Sequence, residues 1–215
     1  LLIETLSVKK RRASNIYALL KNTYPNPPSP LNYYQPHELL IANILLEHSS
    51  YDQVNMVTNI LYKKYQSIID FAYCNLESLE DDINIIEDHK QKAQNIKQAC
   101  SIIIDDYKSV LPVSHVDLLK LPGIETDSAN MILSEIYKIP FVILDNHIIR
   151  IIKLLEFSRN DDLVKMRADI AEIFEEKIWA KATYLILEHG KQICIEIGPK
   201  CEKCILNKLC PSSSV

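Results

Sequence analysis

The stretch LLKLPGIETDSANMILSEIYKIPFVILDNHIIRIIKLL (residues 118–155) carries the reading that decides the fold. Its front part predicts a short helix, a tight turn at Leu121-Pro122-Gly123-Ile124, and a second helix from about Glu125. A turn of this kind between two helices aims free backbone N–H groups outward at a helix start, where a phosphate can be held without side chains. A Pro-Gly pair between helices is often only a turn, so the residues downstream of it carry the weight. The apolar run Phe141-Val142-Ile143-Leu144 leads straight into Asp145, and a helix with His147 and Arg150 comes next. An aspartate placed there is first of all an N-cap.

Working outward, the chain reads as helical nearly throughout. Ala93, Ile96, Cys100, Ile103, Ile104 and Tyr107 recur at three-and-four spacing, the mark of an amphipathic helix. ELLIANILL (38–46) is apolar almost all round and predicts a central buried helix. The helical period returns over 143–155 and 163–174. The β-branched runs do not alternate, and only 3 glycines are available for tight turns, so strands have no place. The segment TYPNPPSPLNYYQP (23–36) holds half of the 10 prolines and reads as a linker. The fold class is all-α.

With 215 residues, 47% of them hydrophobic, the chain can build one large core or two small domains. A net charge of −4 means that the whole molecule is not an electrostatic magnet for nucleic acid. Basic residues nevertheless gather at Lys9, Lys10, Arg11 and Arg12, and again at Lys191, Lys200, Lys203 and Lys208; on composition alone both groups are solvated faces. No apolar stretch suits a bilayer and no signal peptide is evident, which predicts a cytoplasmic protein, nucleoid-associated if bacterial.

The run CIEIGPKCEKCILNKLC ends the informative part of the chain. Its Cys194, Cys201, Cys204 and Cys210 have a Cys-x6-Cys-x2-Cys-x5-Cys spacing. Four thiolates this close can converge on one metal centre. Structural zinc is the competitor, although a zinc ribbon presents two Cys-x2-Cys knuckles and this run has one. Spacing alone leaves iron–sulfur and zinc open. Cys74 and Cys100 sit among apolar residues and are expected to be buried thiols.

Across essentially its full length the chain resembles endonuclease III and the wider helix–hairpin–helix DNA glycosylase superfamily. LPGI with the downstream Ala129 resembles the family hairpin, and LDNHIIR (144–150) the segment carrying the essential aspartate. NPPSPLNYYQPHELLIANILL (26–46) looks like the entry into the barrel domain. LILEHGKQIC and the cysteines beyond it look like the carboxy-terminal [4Fe–4S] loop. The resemblance implies a two-lobed all-α fold: a six-helix barrel domain over 28–138, with the hairpin at about 116–138, and a cluster lobe of 1–27 plus 139–215, with its loop at 194–210. It implies a monomer that binds double-stranded DNA containing a lesion, mismatch or abasic site across the cleft between the lobes, with one nucleotide turned out of the stack. Asp145 would stabilise positive charge on the sugar as the base leaves, or orient water toward that carbon. The cluster would be structural, with Lys191, Lys200, Lys203 and Lys208 reaching phosphates. Trp179 and His189 are read as packing residues, and His147 as a buttress of the Asp145 helix.

Departures from the family pattern sharpen the functional reading. Asp127 stands at the position of the lysine that makes endonuclease III a lyase, and a carboxylate cannot form an imine. Glu125 replaces the hairpin's second glycine. In IIEDHKQKA (85–93), Glu87 replaces a glycine and Asp88 an apolar wedge; His48 stands where a glutamine fills the gap left by the flipped base. The expected activity is therefore a monofunctional glycosylase with DNA contacts at His48, Asp88 and Leu121 to Glu125. Its alternatives are a catalytically degenerate relative that binds DNA or a protein partner, and a bifunctional lyase using Lys120 or Lys138.

Overall fold

The structure, a computed structural model, describes residues 4–215. Among the described residues every regular element is helical. The chain divides into two compact units. One comprises the chain up to Pro28 together with Pro140–Val215; the other is Ser29–Ile139. No helix among the described residues is long and apolar enough to cross a membrane.

Helix α1 (Leu6–Thr23) belongs to the first unit and buries Ala13, Ile16 and Leu20. The chain then crosses the proline-rich segment and enters the second unit with α2 (Pro36–Leu46). Pro36 occupies the first helical position, where its missing N–H costs nothing, and Gln35 with Glu38 forms a capping box. Leu39, Leu40, Ile41, Ile44 and Leu45 are fully buried, each stabilising the fold by about 1.5–3 kcal/mol relative to exposure. This all-round burial is possible because α3 (Tyr51–Lys64), α6 (His89–Tyr107) and α8 (Thr126–Tyr137) all pack against α2. Two short helices, α4 (Ile68–Tyr73) and α5 (Leu76–Asp82), lie against α6, and α7 (His115–Leu118) precedes the hairpin turn.

Back in the first unit, α9 (Asn146–Leu154) and α10 (Leu163–Ile173) precede α11 (Trp179–Gln192). The helical period seen from residue 143 becomes helix only at Asn146, because Asp145 caps it in an extended conformation. α9 lays Ile148, Ile151 and Ile152 against α11. Gly190 allows that approach: a Cβ there would meet Ile151 Cδ1 at 2.5 Å. The indole of Trp179 donates to the Phe174 carbonyl at 3.0 Å, in keeping with a packing role. Cys100 is fully buried, whereas Cys74 is half-exposed at the end of α4, where its thiol donates to the Phe71 carbonyl.

The basic run in α1 is not simply a solvated face. Arg12 is half-buried: its Nη1 donates to the carbonyls of Leu155 at 2.8 Å and Leu209 at 3.4 Å, while Nε and Nη2 donate to Glu4. Lys9 reaches the Phe157 carbonyl. The carbonyl of Leu155, the C-cap of α9, has no intrahelical partner, and Arg12 satisfies it.

Candidate nucleic-acid and metal-binding sites

In the second unit the hairpin is built by one turn. The Ile124 N–H donates to the Leu121 carbonyl at 3.1 Å, and Gly123 takes φ of +79°. Only glycine fits there on two counts: the left-handed angle, and a Cβ that would lie 3.0 Å from Ile44 Cγ2 and Asn95 Nδ2. Leu121 and Ile124 are buried, so as candidate DNA contacts they offer backbone and not side chains. Glu125 sits at the N-cap of α8 without capping it, which leaves the helix start to present its amides outward. Both Glu125 and Asp127 are exposed beside those amides.

A second feature of this unit joins two loop tips. His48 (φ +53°) lies just beyond α2 and Asp88 (φ +55°) just before α6; both are left-handed and about two-thirds exposed. His48 Nδ1 lies 3.9 Å from an Asp88 carboxylate oxygen. The tips are held by Lys92, which carries no sequence signal of such a role. Lys92 is buried, and its ammonium donates to the carbonyls of Leu45 and Glu47 at and beyond the end of α2. Burial pulls the Lys92 pKa down, while Glu47, Asp88 and Glu87 oppose that shift.

In the first unit Asp145 caps α9. One carboxylate oxygen accepts from the Ile148 N–H at 2.6 Å; the other is buried and has no partner among the described residues. An anion fixed at a helix N-terminus is stabilised by the helix dipole. His147 is exposed at the start of the same helix.

The cysteine loop lies in this unit too. Cys194, Cys201, Cys204 and Cys210 are free thiols lining a single cavity of about 70 Å³, with Ile151, Leu155 and Leu206 among its apolar walls. No three His, Cys, Asp or Glu among the described residues converge closely enough to hold one metal ion. Four cysteine thiols on one cavity, with no carboxylate among them, are a donor set suited to a thiolate-held metal centre.

Two neighbours of these thiols have no local signature in the sequence. Arg150 Nη1 lies 3.8 Å from Cys194 Sγ, and Nη2 donates to the Cys194 carbonyl. His189 bridges the Tyr24 hydroxyl, 3.3 Å from Nδ1, and Cys204 Sγ, 3.4 Å from Nε2. It is more than a packing residue. Burial pushes its pKa down to about 4. Of the loop lysines, Lys200 donates to the Gln192 carbonyl, and Lys191, Lys203 and Lys208 are exposed.

Residues 41–176 match the family described as HhH-GPD superfamily base excision DNA repair protein. The chain belongs to that superfamily. Its relatives include endonuclease III of Synechocystis sp., 30% identical over 99% of this chain and 97% of that protein. Endonuclease III of Escherichia coli K12 is 26% identical over 94% and 96%. A non-covalent endonuclease III–DNA complex superposes with a TM-score of 0.85 at 30% identity, covering 95% of this chain and 96% of that one. A thermostable thymine-DNA glycosylase shares the fold, with a TM-score of 0.77 at 19% identity over 94% and 97%. The chain is thus an endonuclease III-like member of the superfamily, with the all-α helix–hairpin–helix fold that its sequence resembles.

Proposed function

We propose that the chain is a monofunctional DNA glycosylase, removing a damaged or mismatched base from duplex DNA without cutting the strand. The observation that carries the reading is Asp145, held at a helix start with one oxygen bonded and the other buried with no partner among the described residues. As the glycosidic bond breaks, its electron pair leaves with the base and positive charge develops on the sugar. A fixed carboxylate lowers the energy of that cation, and water then adds to the sugar carbon. Extrusion of the nucleotide is required because the bond is otherwise out of reach. The hairpin amides, from the turn at Gly123 to the start of α8, serve to hold a phosphate. Asp127 has no amine for attack on the sugar, which supports base removal without lyase chemistry.

In the same reading Cys194, Cys201, Cys204 and Cys210 hold a [4Fe–4S] cluster, which when bound orders the loop bearing Lys200, Lys203 and Lys208. The protein's own residues supply the chemistry.

Asp145→Asn tests the assignment cleanly, because asparagine caps a helix as well as aspartate does. Thermal melting should be unchanged, while single-turnover base release falls by about 10²-fold or more. Undiminished release would remove Asp145 from the mechanism. A second reading, a degenerate relative that binds without catalysis, is favoured by the exposed carboxylates Glu87, Asp88, Glu125 and Asp127. Binding of lesion duplexes with no base released from any of them would select it.

A further inference from the structure

We propose that Arg150 is the cation that balances the charge of the metal–thiolate centre and sets its reduction potential, whereas Arg12 only brackets the loop. The inference rests on the iron–sulfur reading of the cysteines. Two arginines grip the two ends of the cysteine loop, and they differ in one respect. Arg12 donates to the carbonyl of Leu209, next to Cys210, and its charge is felt at the Cys210 thiol, but most of that charge is met by Glu4, with Nε–Oε1 at 3.0 Å and Nη2–Oε2 at 2.7 Å. Arg150 donates to the Cys194 carbonyl and places Nη1 3.8 Å from Cys194 Sγ. No carboxylate pairs with it among the described residues, and its Nε is buried without a partner.

A half-buried guanidinium with no carboxylate is costly unless an anion faces it. Four thiolates around a [4Fe–4S] core in its +2 state leave about two net negative charges. Arg150 is placed to meet that charge at one ligand sulfur. A cation there favours the electron-rich state of the centre, and so raises its potential and slows its oxidation. Arg150 is also on α9, the helix that Asp145 caps, so one element carries both the acidic residue and the counter-charge.

The test compares Arg150→Gln, Arg150→Lys and Arg12→Gln with wild type, all purified without oxygen. Midpoint potential is measured by spectroelectrochemical titration, and cluster loss in air by decay of the visible charge-transfer absorbance. Arg150→Gln should lower the midpoint and speed oxidative loss several-fold, and Arg150→Lys should recover most of both. Arg12→Gln should lower the melting temperature and shift the midpoint far less than Arg150→Gln does. An unshifted midpoint in Arg150→Gln, or an equal shift in Arg12→Gln, would overturn the proposal. If Arg150→Gln retains no iron, Arg150→Lys decides: iron bound near the wild-type midpoint supports the charge role, and no iron there either contradicts it. Wild-type protein without iron would refute the cluster reading itself, a different failure from a cluster that ignores Arg150.

Discussion

Glu125 occupies the N-cap of α8 yet makes no capping bond, so its carboxylate stands exposed beside the amides proposed to meet a phosphate. Glycine at this position removes the charge and keeps a serviceable helix start. Glu125→Gly should therefore tighten duplex binding, most clearly at low salt, in a titration of an abasic-analogue duplex across a salt series. Wild-type affinity that this change leaves untouched would show that the carboxylate points away from DNA. Residues of this sort are legible in a sequence because their chemistry is local. The cap at Asp145 and the turn glycine need only their immediate neighbours, and both stand in the structure as backbone devices. Arg150 on Cys194, 44 residues apart, and His189 between Tyr24 and Cys204 depend on tertiary packing that no local pattern encodes. Leu121 and Ile124 depart the other way: their motif position suggests contact, and the core takes the side chains.

At the scale of elements, hydrophobic period locates the helices and misses some of their ends. The run from 143 has the right spacing for helix, but Asp145 is extended and its side chain takes the Ile148 N–H, so α9 starts at Asn146. The basic run in α1 reads as solvated because Arg12 and Lys9 meet carbonyls from the far end of the sequence. Lys92 is a comparable case: a lysine in an amphipathic helix that is buried and ties α6 to the end of α2. Lys92→Met keeps the packing volume and leaves the carbonyls of Leu45 and Glu47 without that donor. Denaturant unfolding should show a loss of about 1–3 kcal/mol. No loss would mean that water replaces the ammonium, and that the His48 and Asp88 tips are held by other contacts.

For the whole molecule, composition sets only outer limits: enough apolar residues for two small cores, and a net charge with no bias toward nucleic acid. The all-α class comes from period and proline placement. The nature of the metal centre does not, because spacing is shared by zinc and iron–sulfur sites, and the structure adds only that the four thiols line one cavity. Protein purified without oxygen should be brown and hold about four irons and four labile sulfides per chain. Stoichiometric zinc without iron, from iron-replete cells, would contradict the assignment.

The central claim is base removal without strand cleavage, and one measurement meets it directly. Wild-type protein is incubated with a panel of lesion and mismatch duplexes, with and without borohydride, and free base, strand length and protein–DNA adducts are monitored together. The proposed chemistry predicts free base from at least one substrate, a strand that stays intact until alkali is added, and no trapped adduct, since Asp127 cannot form an imine. A borohydride-trapped covalent complex, or no base released from any duplex, would contradict it.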